Sequence, residues 1–317
     1  MDSTASSPPY FEGNTLTIQI DGQPSNNLDV TVLKAFEPFT LSCALLVQLD
    51  WSMLKLKGQY VLKLFDRRFA TEVRRYNKAC PWDPKIEDEY RNFVYDDDIS
   101  ALFTFCAEQE TDYKWTPSAQ KDWNGAHLEA YLQYCCRNYY MTETQVYDRL
   151  PDLQGEDIPR LIARVLIRRP SSAGLIDKYL DCPGILLEYI QGYHLTDLEE
   201  NTPKAAWQQI CDEAIRIVNR IGERDIRNED VKTRNFIIRT DPRTALLKII
   251  MLDFGACVLR KPDQDDQEWR AQKAAQDEEG AIGLVMEKKL KGGFQYTRSE
   301  GSERLMREFQ SWTPKPS

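Results

Sequence analysis

Hydrophobic and polar positions fall into two regimes along the chain. In the first half, apolar runs of strand length are broken by turn residues. Strands are expected at Leu16–Ile20, Leu28–Ala35, Ser42–Leu49 and Tyr60–Phe65, with turns at Asp21-Gly22 and Lys57-Gly58. Residues 1–13 lack such a pattern and read as a flexible tail. From Trp82 to about Tyr113, aromatics and carboxylates mix without a clear period. A helical pattern then runs from about Trp123 to Leu150 and stops before Pro151. Two further strands are expected at Ile162–Arg168 and Gly184–Ile190. Beyond them the pattern turns helical. Thr202 reads as an N-cap with Pro203 at the first helical position. Trp207, Ile210, Cys211, Ala214, Val218 and Ile221 then recur as one buried stripe. A hairpin of Phe236–Arg239 and Leu246–Leu252 follows, joined across Thr240-Asp241-Pro242-Arg243. Helical patterns near Asp277–Lys291 and Glu303–Trp312 come last. A β-rich half with one long helix, then a mainly helical half, predicts an α+β fold in two lobes.

Composition narrows this picture. The 317 residues suffice for one large domain or two lobes, and 42% hydrophobic content excludes a disordered chain. A net charge of −9 repels phosphate backbones and anionic membranes, so no nucleic acid and no membrane are expected as partners. No apolar run reaches the ~18–20 residues of a membrane helix. The first residues carry neither a basic stretch nor an apolar core, so no secretory signal is visible and the expected location is cytoplasmic or nuclear. The eight cysteines include no Cys-x-x-Cys, and only His127 and His194 could join them, which argues against zinc. Most of the cysteines are expected to be buried apolar residues in a reducing compartment.

The densest chemistry lies in Asp230-Val231-Lys232-Thr233-Arg234-Asn235, ahead of an apolar strand, and in Asp253-Phe254-Gly255 after the hairpin. Asp230 can orient an acceptor hydroxyl, Asn235 and Asp253 offer hard oxygens to Mg2+, and Lys232 can face a transferring phosphoryl group. Each piece alone is weak, since Asp and Asn also populate ordinary turns. Order, spacing and strand context together are specific, and they match the catalytic and magnesium loops of protein kinases. Glu223-Arg224-Asp225 is a decoy for the kinase His-Arg-Asp triplet. Asp230, not Asn, stands five residues after Asp225, and Asp225 is expected to end the preceding helix.

The chain thus resembles the protein-kinase-like superfamily over about Leu28 to Met286. In pattern it is closest to compact fungal kinase-like proteins with Leu62-Lys63-Leu64-Phe65-Asp66-Arg67-Arg68-Phe69 and Leu153-Gln154-Gly155…Ile158-Pro159-Arg160-Leu161 segments. The resemblance implies a bilobal fold with ATP and Mg2+ between the lobes. Its expected parts are a tail and leading strand (1–27), an N-lobe (28–190) with an acidic insertion at about 82–122, and a reduced C-lobe (191–317). It also implies a phosphate clamp of Lys63 with Glu143, Glu129 being the competing partner. A lysine on an apolar strand is otherwise solvated edge decoration. The hinge would be Leu187, Glu188 and Ile190, with Leu187 walling the adenine pocket and the backbone of the other two bonding its edge. An ordinary buried strand end explains the same residues.

Departures from the family are equally legible. No Gly-x-Gly-x-x-Gly joins the first two kinase-like strands; Phe36-Glu37-Pro38-Phe39-Thr40-Leu41-Ser42 stands there instead. Asn228-Glu229 replaces His-Arg, and Glu278 takes the place of the anchoring Asp of the kinase F helix. The short stretch after Gly255 favours the small-molecule style of aminoglycoside and choline kinases, whereas Lys232 favours the protein-kinase style. The expectation is an ATP- and Mg2+-dependent phosphotransferase acting on a small-molecule or protein hydroxyl. The alternative is a pseudokinase, a nucleotide-binding or scaffolding module. Between Trp82 and Tyr113, ten acidic residues against two basic ones carry nearly all of the net charge. That run is either a solvated face or a docking surface for a cationic partner.

Overall fold

A computed structural model describes residues 8–21, 27–51, 56–96, 99–109, 116–117, 120, 122–169, 178–241, 244 and 246–310. The chain divides into two units, Met1–Met141 with Leu161–Tyr189, and Thr142–Arg160 with Ile190–Ser317. The segment Thr142–Arg160, expected with the first part of the chain, therefore belongs to the second unit.

The first unit carries strands β1 (Thr15–Ile20), β2 (Asn27–Ala35), β3 (Cys43–Trp51) and β4 (Leu56–Leu64). Helices α1 (Thr71–Tyr76), α2 (Pro84–Asp96), α3 (Ile99–Gln109) and α4 (Gly125–Arg149) follow, the last running on into the second unit. Strands β5 (Leu161–Ile167) and β6 (Cys182–Glu188) complete it. The strands form a closed barrel in the order β1-β2-β3-β4-β6-β5, because β1 pairs with both β2 and β5. Alternation places Leu16, Ile18, Val30, Val32, Leu45, Val47, Leu62 and Leu64 in its core. Gly184 lies opposite Leu64, where a Cβ would come within 2.7 Å of the Lys63 carbonyl oxygen. The close approach of β4 and β6 requires glycine there.

The residues expected as a tail are held from Tyr10 onward: its ring packs edge-on to Phe39 and Phe69, and its hydroxyl donates to Asp66 at 2.6 Å. Residues 1–7 lie outside the described residues. The stretch after Trp82, which shows no clear period, forms α2 and α3. Their Tyr90, Phe93, Val94 and Ile99 pack with Ala126, Ala130, Tyr179 and Leu180. In α2 the apolar pattern is hidden because the buried face also carries a charge, Glu87. Arg67 is buried on the Tyr90 ring, 3.9 Å from its centroid, and binds Glu87 at 2.6 Å and also Glu129. Arg74 closes the network on Glu129 at 2.6 Å. Of the acidic run, Glu87 is thus structural. Asp97, Asp98, Glu110, Asp112 and the Asp96 side chain lie outside the described residues.

The second unit continues with β7 (Tyr193–His194), α5 (Leu198–Asn201), α6 (Trp207–Gly222), β8 (Ile226–Asn228), β9 (Phe236–Thr240), β10 (Leu247–Met251) and β11 (Cys257–Leu259). Helices α7 (Asp266–Gln276), α8 (Glu278–Leu290) and α9 (Glu300–Glu308) follow. The α6 stripe is buried as expected, but Thr202 does not cap it. Thr202 is extended, its hydroxyl bonds the Tyr193 hydroxyl, and a 3-10 turn at Lys204–Ala206 leads into the helix. Helix α7 was not expected, nor were the three-residue strands β8 and β11, which are too short to show a period. Among the described residues no helix is long and apolar enough to cross a membrane.

Breaking one side of a buried ion network leaves its other charges uncompensated. Arg67→Met should therefore destabilise the protein by about 3–5 kcal/mol in urea unfolding. A change below about 1 kcal/mol, the scale of an exposed pair, would contradict a structural role for this network.

Candidate functional site

Two small antiparallel pairs in the second unit frame the loop from Asn228 to Asn235. Strand β8 pairs with β11, with Asn228 opposite Cys257, and β9 pairs with β10, with Phe236 opposite Met251. The loop leaves the first pair and enters the second. Its entry is held by a buried carboxylate: Glu278 Oε1 accepts the Asn228 N–H at 2.7 Å, while its other oxygen meets the Lys273 ammonium. Lys273 also donates to the Ile226 carbonyl at 3.1 Å. Asn228 passes the constraint on, since its Oδ1 accepts the Asp230 N–H at 2.8 Å. Its Nδ2 is buried without a hydrogen-bond partner among the described residues.

At the exit, Asn235 Nδ2 donates to the Asp230 carbonyl at 2.8 Å and lies 3.4 Å from its carboxylate. Both ends of the loop therefore fix Asp230. Lys232, with its side chain 46% exposed, turns its ammonium back onto the Asp230 carboxylate. The Asn235 carbonyl accepts the Leu252 N–H at 2.7 Å, so the β9–β10 register carries Asp253 to the same end of the hairpin as Asn235. Asp253 has φ +67°, a left-handed conformation that Asp tolerates better than most residues. The next residue, Phe254, is fully buried edge-on against Tyr147, 5.6 Å between ring centroids. Burial pushes the Cys257 thiol well above its ordinary range, and the carboxylates of Glu278, Glu143 and Asp253 add to that shift. Six of the eight cysteines are buried, as expected for residues used as small apolar groups.

The donor set suits a hard cation. With Nδ2 committed, Asn235 presents Oδ1, to which no described residue donates, and Asp253 presents a carboxylate. One or two protein oxygens completed by phosphate oxygens and water is how Mg2+ is commonly held. Among the described residues no group of three or more His, Cys, Asp or Glu side chains is arranged for a metal.

The remaining expected residues divide between the units. In the first, Lys63 sits on β4 between Ala44 and Ile185, 7% exposed, so it is not edge decoration. Leu187 is buried on β6 opposite Val61, and Glu188 ends that strand opposite Tyr60. Glu129 is committed to Arg67 and Arg74. In the second unit, Glu143 is fully buried and Ile190 nearly so. Gly192 follows, where a Cβ would lie 2.2 Å from the Ile238 carbonyl oxygen. Asp225 does not end a helix: α6 stops at Gly222, and Asp225 turns left-handed with its carbonyl accepting from Arg149 and Arg260. The turn between β2 and β3 is pinned to α1. The Phe39 carbonyl accepts the Thr71 N–H at 3.3 Å, and the Thr40 carbonyl accepts the Glu72 N–H at 3.1 Å.

Sequence reasoning missed the Asp157 clamp. Its carboxylate binds Arg216 at 2.7 Å and Arg220 at 2.6 Å, while its carbonyl accepts the Met251 N–H at 2.8 Å. The four-residue spacing of the two arginines on α6 was the available signal. Lys273 gave none.

No protein-family model matches the chain, and no curated protein matches it in sequence. A solved structure of WaaP in complex with acyl carrier protein aligns with 88% of this chain and 79% of that one, at 13% identity and a TM-score of 0.36. Similarity at that level carries no inference about this chain.

Asp277 caps α8 and so places Glu278 in its first turn. A hydrogen bond from Arg298 holds the Asp277 carboxyl below its ordinary value of 3.8. A carboxyl depressed in the folded state stabilises above the unfolded pKa and loses that contribution as pH falls through the folded one. Asp277→Asn should therefore be less stable than the parent at pH 7, with the gap closing as urea midpoints are followed below pH 3.8. A gap that stays constant down to pH 2 would contradict this.

Proposed function

We propose that the chain is an ATP- and Mg2+-dependent phosphotransferase with a kinase-like fold, moving the γ-phosphoryl group to a small-molecule or protein hydroxyl. The observation that supports it best is the loop itself. Asp230, Lys232 and Asn235 are fixed together by hydrogen bonds, and the hairpin register brings Asp253 to the end of the hairpin where Asn235 sits. Asp230 accepts the hydrogen bond of the acceptor hydroxyl and aims its oxygen in line with the phosphorus. Lys232 places a positive charge where negative charge grows on the transferring group, exchanging part of its pairing with Asp230 for that contact. Asn235 Oδ1 and the Asp253 carboxylate would hold Mg2+. Bound Mg-ATP supplies the phosphoryl group and a divalent charge that neutralises it. Lys63 and Glu143 keep the clamp roles, and Leu187, Glu188 and Ile190 the adenine-side roles, that the resemblance implies. The acidic insertion, where it is not a solvated face or, like Glu87, part of the buried ion network, would receive a cationic partner.

A nucleotide-binding or scaffolding module is the second reading. One observation favours it: the turn has no glycine and is pinned to α1 through the Phe39 and Thr40 carbonyls, so its backbone lacks the freedom to fold its N–H groups around phosphates in the kinase manner.

Thermal shift with Mg-ATP, followed by ATP turnover, tests the function. At a hundredfold excess over Kd, ligand binding stabilises by about 2.7 kcal/mol. The parent should shift accordingly, while Lys63→Ala and Asp253→Ala should not. In turnover, Asp230→Asn should lose about 10²–10⁴-fold. No shift in the parent would overturn the enzyme reading. Binding without turnover would favour the module.

A further inference from the structure

Thr196 and Thr233 share a hydroxyl–hydroxyl hydrogen bond of 2.9 Å. Thr196 lies in the 3-10 turn Leu195–Asp197, which is seated by the fully buried side chains of Leu195 and Leu198. Thr233 begins the 3-10 turn Thr233–Asn235 inside the Asp230 loop. Glu278 fixes the entry of that loop, and Asn235 with Leu252 fixes its exit. The middle is held differently. Among the described residues the Lys232 side chain pairs only with Asp230, its carbonyl takes the Asn235 N–H, and the Thr233 carbonyl takes that of Phe236. Among the described residues, the Thr196 hydroxyl is the one hydrogen-bonding group outside the loop and β9 that grips residues 231–234. Thr196 is itself held, because Lys289 near the end of α8 donates to its carbonyl. Helix α8 therefore braces the loop twice, through Glu278 near its start and through Lys289 and Thr196 near its end.

On the phosphotransferase reading above, we propose that Thr196 is a positioning residue that acts through Thr233 to fix the backbone from which Lys232 reaches the transferring phosphoryl group. The Thr233 Cα is one residue from Lys232, and β-branching restricts χ1 of both threonines, so the hydroxyl bond fixes backbone direction at the point where the ammonium leaves the chain. Losing it frees the Lys232 segment without touching Asp230, Asn235 or Asp253.

The test uses the full chain, phosphate release from Mg-ATP with water as acceptor, Mg-ATP binding by thermal shift, and urea unfolding. Thr196→Val and Thr233→Val should each lower kcat about five-fold with KM for ATP unchanged, the scale of one neutral hydrogen bond. The double variant should fall no further than either single, because both remove the same contact. Thr233→Ser should recover most of kcat. The double variant should unfold near the parent midpoint, since both hydroxyls leave together and their shape is kept. Unchanged kcat, additive losses, or losses that track the unfolding midpoint would overturn the positioning role while leaving the phosphotransferase reading intact. A parent that neither binds Mg-ATP nor releases phosphate would overturn that reading, and the positioning role with it.

Discussion

A carboxylate taken out of water must be met by donors and a counter-charge, or the fold cannot keep it there. Glu278 is that group in the second unit. One oxygen takes the Asn228 N–H and the other takes Lys273. Because Asn228 in turn holds the Asp230 N–H, the position of Asp230 is tied to the satisfaction of a buried charge 50 residues along the chain from Asn228. Displacing the loop would cost that charge one of its two donors and leave Lys273 as the other.

The same logic recurs around it. Asp157 takes two arginines from α6 and gives its carbonyl to the end of β10, which sets the strand that delivers Asp253. In the first unit, Arg67 and Arg74 organise Glu87 and Glu129, joining α2 to α4. Buried ion pairs seldom add net stability over apolar packing, but they tolerate few alternative arrangements. For the proposed phosphoryl transfer, groups already in place would need no reorganisation as charge develops.

The placement of Asp230 beside Asn235, and of Asp253 at the same end of the hairpin, was more legible in the sequence than the architecture. Asp230, Asn235 and Asp253 could be read because short loops tied to a hairpin conserve spacing between sequence and space. The α6 stripe and most strands could be read because their periods are local. Barrel closure by β1 could not, since alternation shows which residues face inward but not which edges meet. Helix α2 escaped because Glu87 on its buried face is a charge, met by Arg67 from outside the helix, which inverts the usual relation between polarity and exposure. The tail ended earlier than expected because one aromatic, Tyr10, finds Asp66 and two phenyl rings. Thr202 carried the composition of a cap, but its hydroxyl is taken by Tyr193. Glu278 was legible only as a position in a family pattern; its pairing with Lys273 had no signature.

A crystal structure grown with Mg2+ and a non-hydrolysable ATP analogue would show directly whether the Asp230 loop handles Mg-ATP. A cation should be bound to Asn235 Oδ1 and an Asp253 carboxylate oxygen, with Lys232 turned from Asp230 toward the terminal phosphate. An analogue bound with no cation at Asn235 and Asp253, or with Asp230 remote from its terminal phosphate, would contradict that role of the loop.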